Sequence, residues 1–432
     1  MQKQVLYVPQ RCPRRAVSPR RTAPLHVLVS AYACGPNWGS EIGTGYNWVA
    51  ALAKYCRLTV ITEGQFKNEV LDALDEHGFA HHPEFHFINL SDKVRARCWN
   101  QGDWRFYKDY KKWQWQAYLL AGRLLSQHKY DLAHQLNMIG YREPGYLWKL
   151  PLPFVWGPVG GFACMPWKFI PALGFKGAFY HSCRNVINRI QMNCSIRVRR
   201  AAGRTAALVT ATKEDRDAVL RLYHRDSELL NETGAKLHNY THRKTLYEPN
   251  RPLRLCWCGK LVSRKAPSLA LHAVAAARKH IPLELHIVGA GPHQQRIRKL
   301  ALKLDIDGLC HWHGQVEHRT ALQIITDSDV MLFTSLQEGT PHVVLEAVSL
   351  AVPVICHDAC GLATVINDSC GIKVPLKSPA YSINGFAHAV VQLATKPRML
   401  GNLSRGALER AKQLSWDNKA KQMLQIYSKV LV

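Results

Sequence analysis

The sequence predicts an α/β protein with two doubly wound parallel sheets, and three observations lead to this prediction. The chain has 432 residues, more than one hydrophobic core usually accommodates, so two domains of roughly 200 residues each are expected. Short apolar runs alternate with helical patterns along the chain, as in parallel sheets with crossover helices. The alternation is interrupted at residues 248–252 (EPNRP), where two prolines with polar neighbours indicate a linker.

The predicted boundaries give a basic, flexible tail over residues 1–24 and a first domain over residues 25–245. The first strand, residues 26–32, leads into a loop and helix with four closely spaced glycines. A long aromatic helix is expected near residues 104–127. The other strands of this domain are expected at residues 58–64, 85–90, 131–137, 153–161 and 206–212.

The second domain is expected over residues 246–412, and residues 413–432 have the apolar spacing of an amphipathic helix. Two such domains face each other across a cleft, and ligands of parallel sheets bind beyond the carboxyl ends of the strands. The loops after the strands are therefore the places where a functional site is expected. The strands of the second domain are expected at residues 253–261, 283–291, 309–314, 330–335, 352–357 and 371–375.

The chain is strongly basic, with a formal net charge of +26 and an isoelectric point near 9.7. Such a charge predicts an anionic partner: nucleic acid, a phospholipid surface or a phosphorylated ligand. From Pro144 to Lys213 there is no Asp or Glu. The first domain should therefore have a positively charged face.

Cysteines and apolar runs bear on the location of the protein. The thirteen cysteines are scattered and form no C-x-x-C pair, so most are expected to be buried free thiols in a reducing compartment. No apolar run reaches the roughly 18 residues of a membrane span. The first 24 residues lack the apolar region of a signal peptide. A cytoplasmic location is expected.

Two glycine-containing loops of the second domain are candidate ligand contacts. In GKLVSRKAP, Lys260 and Lys265 follow a strand and could hold a diphosphate. Taken alone, the segment favours the alternative of two solvated lysines. In IVGAGP, Gly289 and Gly291 would let the backbone approach a nucleotide base or ribose. An ordinary turn into the next helix explains these two glycines as well.

A third motif, TSLQEGTPHVVLEAVSLAVPVI, combines a strand, a turn, a helix and a second strand. Glu338 follows the first strand, Gly339 and Thr340 permit a tight turn, and Pro341 suits a first helical position. The N-terminus of the helix offers free N–H groups to phosphate or sugar oxygens. Glu346 lies further along the same helix, where its carboxylate could accept both hydroxyls of a ribose.

These motifs resemble those of the retaining GT-B glycosyltransferases of family 4. The stretch E-G-T-P-H-V-V-L-E-A resembles the E-x7-E motif of that family. GKLVSRKAP resembles its phosphate loop G-R-L-x-x-x-K-G, with Lys260 in place of arginine and Ala266 in place of glycine. Three further segments resemble those of a subgroup of the family that acts in surface polysaccharide assembly. They are SAYACGPNWGSEIGTGYNWVAALA, REPGYLW and PFVWGPVGG. SWDNKAKQMLQIY resembles the C-terminal helix that crosses back to the N-terminal domain.

The resemblance implies two Rossmann-like domains that face each other across a cleft and bind a nucleoside diphosphate sugar of the UDP or GDP type. It implies that Glu338 lies beside the donor sugar and that Glu346 binds the ribose. Lys260 and Lys265 would contact the diphosphate. The resemblance also implies that the backbone binds the sugar hydroxyls at Gly339, Thr340, Pro341 and His342.

The first domain should contribute further contacts by the same resemblance. Gly39 would approach the donor phosphate or the acceptor. His134 in the strand DLAHQLN corresponds to the first histidine of the H-x-H pattern of the family, but the second position is Leu136. A core histidine at the end of a strand is the alternative interpretation of His134.

Sugar transfer from such a donor builds negative charge on the departing diphosphate, and lysines and helix N-termini can stabilise that charge. No D-x-D motif lies in a suitable loop, since the DID at residues 305–307 follows a helix. The expected enzyme is therefore independent of metals and cofactors. The resemblance suggests retention of configuration by a front-face route, in which the leaving phosphate helps to deprotonate the acceptor.

Three other interpretations compete with this one. WNQGDWRFYKDYKKWQWQAY, residues 99–118, suits a nucleic-acid-binding surface, an interfacial helix on a membrane or a helix with an aromatic core face. A nicotinamide-dependent oxidoreductase is disfavoured because no G-x-G-x-x-G follows the first strand. A catalytically inactive relative also remains. We expect a glycan or lipid-linked acceptor, an anionic membrane surface at the inner face of the plasma membrane, and no nucleic acid partner.

Overall fold

The computed structural model of the protein describes residues 23–76, 79–99, 105–237 and 247–432. Most of the predicted basic tail, residues 1–22, lies outside the described residues. The described part of the chain folds into two parallel sheets with helices on both faces. This architecture confirms the predicted fold class.

The first sheet has its strands in the order β3-β2-β1-β4-β5-β6-β7, and all the neighbouring strands are parallel. The strands are β1 (His26–Ala31), β2 (Arg57–Glu63), β3 (Glu84–Ile88), β4 (Leu132–Asn137), β5 (Phe154–Val159), β6 (Ala207–Thr210) and β7 (Glu228–Leu229). Every residue of β4 and β5 is buried, as expected for central strands with helices on both faces. Each strand except β7 overlaps a predicted apolar run, and β2 and β3 begin one residue before theirs.

The helices of the first half pack on both faces of this sheet. They are α1 (Ser40–Leu52), α2 (Lys67–Glu76), α3 (Asp92–Trp99), α4 (Arg105–Gln127), α5 (Gly174–Cys194), α6 (Ile196–Arg204) and α7 (Lys213–Tyr223). The helix α4 is the predicted long aromatic helix. Its rings Phe106, Tyr110 and Trp113 are buried in the core, while Tyr107 and Trp115 are exposed. Packing therefore accounts for much of the aromatic content of this helix.

The second sheet has the order β10-β9-β8-β11-β12-β13, again parallel throughout. Its strands are β8 (Leu253–Cys258), β9 (Leu283–Val288), β10 (Cys310–Gly314), β11 (Val330–Phe333), β12 (Val354–His357) and β13 (Gly371–Val374). Its helices are α8 (Pro267–Ala277), α9 (Gln294–Lys303), α10 (His318–Asp327), α11 (His342–Ser349), α12 (Cys360–Val365), α13 (Pro379–Thr395) and α14 (Pro397–Gln413). All six strands lie where the sequence predicts them.

The last helix, α15 (Trp416–Leu431), returns to the first domain. Its side chains Ala420, Met423, Ile426 and Tyr427 belong to the same hydrophobic cluster as the strands of the first sheet. It packs along α1. The predicted crossover of the C-terminal helix is therefore confirmed.

Two further findings concern expectations from the sequence. The twelve described cysteines are all free, and most of them are buried. Within the described part of the chain, no helix is both long enough and apolar enough to cross a membrane.

Candidate functional site

A deep cleft lies between the carboxyl ends of the two sheets. Its volume is about 1360 Å³, more than the roughly 300–1,000 Å³ of a typical small-molecule site. Loops from both domains line it, which suits a site for two substrates. The cations in its lining are Arg97, Arg142, Arg184, Lys236, Arg264 and Lys265.

Glu338 lies in the loop between β11 and α11 and is held by two cations. Its Oε1 atom lies 2.6 Å from Lys265 Nζ and 2.7 Å from Arg264 Nη1. The hydroxyl of Ser335 donates to the same oxygen at 2.7 Å. The predicted Glu338 and Lys265 are thus brought together, and Arg264 joins them although no sequence motif singled it out.

The electrostatics of this group favour an ionised carboxylate. Burial by itself raises the pKa of the Glu338 carboxyl, but the two neighbouring cations and the hydroxyl donor outweigh burial, so the pKa lies below its ordinary value. Burial lowers the pKa of Lys265, and the attraction of Glu338 offsets only part of that effect. The loop therefore carries a partly buried ion pair at the edge of the cleft.

Glu346 lies on α11 and also lines the cleft. Its Oε1 atom is 2.8 Å from Nε2 of His318, which belongs to α10 and is largely exposed. The carboxylate itself is partly exposed toward the cleft. It is therefore accessible to a ligand.

The turn before α11 is occupied by a carboxylate of the first domain. Glu232 accepts hydrogen bonds from the backbone N–H and, at 2.7 Å, from the hydroxyl of Thr340. A Cβ atom at Gly339 would overlap this carboxylate, so a larger residue there would displace the Glu232 side chain. Pro341 is the residue before the first helical position, not the first helical residue itself. The donors of Thr340 are engaged across the cleft in this structure.

The glycine-bearing segment after β1 faces α11 from the first domain. Thr44 Oγ1 lies 3.4 Å from Nε2 of His342, and burial lowers the pKa of His342. Gly39, the residue before α1, lines the cleft, and a Cβ atom added there would have no heavy atom within 4 Å. At Gly43, by contrast, a Cβ atom would overlap the carbonyl of Trp38. Gly43 is therefore required by close packing, whereas Gly39 leaves open space in the cleft.

Three predicted contacts do not line the cleft. Lys260 is exposed at the end of β8 and is not part of the lining. Gly289 and Gly291 lie where a Cβ atom would overlap the backbone of Gly259 and Leu261, respectively. Close packing of two loops within the second domain therefore explains both glycines without a ligand.

The expectation that His134 contacts the donor sugar is corrected by the structure. The side chain is fully buried between β4 and α15. Its Nε2 atom lies 2.7 Å from the carbonyl oxygen of Gly157, and its Nδ1 atom lies 2.6 Å from the hydroxyl of Tyr427. Because a carbonyl only accepts, Nε2 donates and Nδ1 accepts. Burial lowers the pKa of His134 to about 4, so it is a neutral core histidine.

Several carboxyl groups at the cleft were not predicted from the sequence. Glu41 and Asp215 line the cleft, and burial raises the pKa of each to about 7. Groups that titrate near neutrality can exchange protons with a substrate. Glu41 lies in the segment SAYACGPNWGSEIGTGYNWVAALA, but the resemblance did not single it out, and Asp215 and Glu232 lie in no recognisable motif.

Comparisons with known proteins agree with this arrangement. Residues 240–410 match the family described as Glycosyl transferases group 1. This span contains the second sheet, Glu338 and Glu346. The match covers the half of the cleft that carries the ion pair.

Among curated proteins, the chain is similar to a D-inositol 3-phosphate glycosyltransferase of Saccharomonospora viridis, with 27% identity over 243 residues. That alignment covers 52% of this chain and 56% of the relative. An MMP alpha-(1->4)-mannosyltransferase of Mycolicibacterium hassiacum is 26% identical over 171 residues, 39% of this chain and 41% of the relative. The chain spans about half the length of the curated relatives that it matches.

Solved structures with the same fold cover nearly the whole chain. The apo form of the lipopolysaccharide outer core galactosyltransferase WaaB has a TM-score of 0.63 at 12% identity, with 94% of this chain and 100% of that chain covered. The Anabaena protein Alr3699/HepE in complex with UDP and glucose has a TM-score of 0.55 at 13% identity, with 94% and 99% covered. At such identities the likeness concerns the fold. Residues 240–410 therefore match the glycosyl transferases group 1 family, and the described chain has the two-domain GT-B fold.

Proposed function

We propose that the chain is a retaining, metal-independent glycosyltransferase that transfers a sugar from a nucleoside diphosphate sugar of the UDP or GDP type. The proposed acceptor is a glycan or a lipid-linked glycan of surface polysaccharide biosynthesis. The observation that carries the proposal is the cluster of Glu338, Lys265 and Arg264 beside the turn into α11, with Glu346 on the same helix. These groups line one cleft.

The cluster suits a diphosphate leaving group. Lys265 and Arg264 now contact a carboxylate, and a diphosphate has the same charge sign and more acceptor oxygens. A donor that enters the cleft would replace Glu338 as the partner of these two cations. Negative charge that develops on the departing diphosphate would then be stabilised by fixed positive charges. We assign the diphosphate contact to Lys265 and Arg264, because Lys260 does not line the cleft.

The carboxylates would then have separate tasks. Glu338, once released from the cations, lies at the side of the turn where the sugar would sit, and Glu346 would accept the ribose hydroxyls. Gly39 leaves open space opposite this turn for the donor phosphate or the acceptor. The backbone of residues 339–342 would bind sugar hydroxyls after Thr340 exchanges its contact with Glu232 for one with the substrate.

A thermal-shift screen against UDP, GDP, ADP and their sugars tests the donor site. We expect one nucleotide class to raise the melting temperature of the wild type and to stabilise Glu346→Ala much less. Stabilisation by none of these ligands would contradict the proposal. With the donor so identified, Glu338→Ala should keep nucleotide binding and lose sugar transfer. The anomeric configuration of the product, read by NMR, tests retention.

A phosphorylated polyol is a second candidate acceptor. The similarity to D-inositol 3-phosphate glycosyltransferases favours it, and Arg97, Arg142 and Arg184 on the first-domain side of the cleft suit an anionic acceptor. Transfer assays with inositol phosphate and with a lipid-linked glycan in parallel separate the two candidates. Transfer to inositol phosphate alone would overturn the role in polysaccharide biosynthesis.

We also propose that the enzyme binds an anionic membrane surface through α5. The buried face of this helix is mostly polar: the side chain of Asn185 pairs with both backbone groups of Met165, Asn188 binds the hydroxyl of Tyr141, and among its buried side chains only Met192 joins the apolar core. Its outer face is apolar, with Phe175 88% exposed. The other large exposed apolar side chains of α5 are Phe179, Val186, Ile187 and Ile190, together with Tyr180, which also lines the cleft.

The charge around this outer face supports a lipid partner. The acidic-residue-free stretch from Pro144 to Lys213 contains all of α5 and α6. Apolar rings flanked by basic side chains suit the interface of an anionic bilayer, where each cation contributes about 1 kcal/mol. The exposed basic residues here that do not line the cleft are Lys176, Arg189, Arg199 and Arg200.

Co-sedimentation with vesicles tests the membrane proposal. We expect binding to vesicles that contain phosphatidylglycerol, a loss of that binding in high salt, and a loss in the double variant Phe175→Ser and Phe179→Ser. Leu302→Ser is the matched control, since Leu302 is an exposed apolar residue of the second domain. Binding that is unchanged in the double variant, or equally strong binding to oligonucleotides, would contradict the proposal.

A further inference from the structure

A cluster of histidines lies on one face of the second sheet, away from the cleft. Glu284 and His286 alternate on β9, and His311 and His313 alternate on β10. Because side chains two residues apart share a face of a strand, and because His286 is the direct partner of His311, all four side chains meet on the same face. None of them lines the cleft.

The atoms of three of these residues converge as metal ligands do. Glu284 Oε1 lies 3.5 Å from His286 Nε2, and Glu284 Oε2 lies 3.4 Å from His311 Nε2. All the ligand atoms of this group lie within 4.8 Å of one another. In a tetrahedral zinc site with bonds of roughly 2.0–2.1 Å, neighbouring ligand atoms are about 3.3 Å apart. The two contacts of Glu284 are close to that value.

A second observation points to a bound ion. The Nε2 atom of His286 is buried and makes no well-aligned hydrogen bond, since its 3.5 Å contact with Glu284 lacks the geometry of one; such a polar atom is costly to bury unless something binds it. Its other ring nitrogen, Nδ1, lies 3.0 Å from Nε2 of His313. If Nδ1 donates to His313, Nε2 of His286 carries a free lone pair directed at the other two ligands. Metal-binding histidines usually have such a partner on the second nitrogen.

We propose that Glu284, His286 and His311 bind a divalent transition-metal ion of the zinc type, and that His313 orients His286. The ligand set of two imidazoles and one carboxylate suits zinc. Arg254 donates to Glu284 Oε1 at 2.6 Å. Its positive charge would repel the ion, but its hydrogen bond fixes the position of the carboxylate. His311 is about half exposed, so the fourth position is open to water.

The site would join β10, the edge strand, to β9 and thereby stabilise that edge of the sheet. It makes no contact with the proposed diphosphate site, so the metal independence proposed for sugar transfer is not affected. An ion that binds only the folded state raises the melting temperature. The ion should therefore stabilise the fold without being needed for nucleotide binding.

The test uses the full chain after dialysis against a chelator, with the exposed thiols removed by Cys183→Ser and Cys194→Ser. We expect calorimetry to show one Zn²⁺ per chain, and Co²⁺ to give the visible absorption of a low-symmetry, thiolate-free site. His311→Gln should weaken Zn²⁺ binding at least tenfold, and His313→Gln by roughly tenfold. His280→Gln, at an exposed histidine that does not belong to the cluster, should bind as the parent does.

The thermal readout completes the test. Zn²⁺ should raise the melting temperature of the parent and of His280→Gln, but not that of His311→Gln, while the metal-free proteins melt alike. The proposal is overturned if no saturable uptake occurs near one equivalent. It is equally overturned if His311→Gln and His280→Gln bind Zn²⁺ with the same affinity. Nucleotide binding is measured on the metal-free parent as well. If the metal-free protein binds nucleotide, a failure of the metal proposal leaves the proposed sugar transfer unaffected.

Discussion

The Nζ atom of Lys265 lies 2.6 Å from the carboxylate of Glu338, and Arg264 contacts the same oxygen. One carboxylate thus pairs with two cations that face the cleft, so the cluster keeps a net positive charge. Any anion that reaches this loop must compete with Glu338 for them. This competition makes the effect of each side chain on nucleotide binding predictable.

Lys265→Met should weaken binding of the donor nucleoside diphosphate at least tenfold, since a hydrogen bond to a charged group contributes about 1.5–3 kcal/mol. Glu338→Gln should not weaken it, because the variant removes the competing charge. Lys260→Met is the matched control and should stay within about twofold, since Lys260 does not line the cleft. Isothermal titration calorimetry measures all three. Equal losses at Lys260 and Lys265 would refute the assignment of the diphosphate contact.

Glu346→Ala should weaken binding of the donor nucleotide through the ribose alone. The loss, roughly tenfold for one charge-assisted contact, should therefore vanish when the ligand is the 2′,3′-dideoxy nucleotide. His318→Gln, which removes the protein partner of the same carboxylate, should have the smaller effect. A loss that is identical for ribose and dideoxy ligands would show that Glu346 acts elsewhere.

Two glycines of the segment after β1 should respond differently to alanine. Gly43→Ala should destabilise the fold by more than about 2 kcal/mol, because its Cβ atom would overlap the carbonyl of Trp38. Gly39→Ala should melt like the wild type, since that position is open and has a φ of −87°. It should nevertheless weaken donor or acceptor binding, because the added methyl group projects into the cleft. Thermal unfolding and nucleotide titration together check the pair.

Lys419 should make stability depend on pH. It is buried in α15, and its Nζ atom donates to the carbonyl of Asn231 at 3.0 Å. Burial lowers its pKa from 10.5 to about 7. Below pH 7 the ammonium is charged in both the folded and the unfolded protein, so the full cost of burying the charge is present. Between pH 7 and 10.5 only the unfolded state retains the proton, so that cost decreases as the pH rises.

Lys419→Met lacks this titration. The difference between its free energy of unfolding and that of the wild type should therefore be largest below pH 7, where the variant gains most in stability. This difference should fall by at most about 1.4 kcal/mol per pH unit as the pH rises toward 10. Lys421→Met, at an exposed lysine of the same helix, should show no such trend over this range. Denaturant unfolding at several pH values measures both differences. A constant difference for Lys419→Met would show that the buried amine does not titrate there.

The regular parts of the fold were predictable because strands buried on both faces have continuous apolar sequences. The strand β7 was missed because two residues, Glu228 and Leu229, form no recognisable run. The outer face of α5 was missed for a different reason. Its apolar spacing resembles that of a core-facing helix, and only the contacts of Asn185 and Asn188 reveal that the polar face is the buried one.

The site was predictable where a motif is local in sequence. Glu338 lies in the loop before α11 and Glu346 lies on α11 itself, so one short segment places both carboxylates in the cleft. Arg264 and Lys260 are four residues apart, and only the path of the loop after β8 determines which of them reaches Glu338. Glu232 reaches Thr340 from the other domain, and no local pattern encodes a contact over 108 residues.

The position of α15 has a consequence for synthesis on the ribosome. The core of the first domain includes Met423 and Tyr427, so that domain lacks part of its packing until the last helix has left the exit tunnel. At about 5–20 residues per second, the second domain takes on the order of ten seconds or more to translate. During that interval the apolar surface beside α1, which α15 covers in the complete fold, is exposed on the nascent chain. A chaperone that binds apolar surfaces would bind the first domain there.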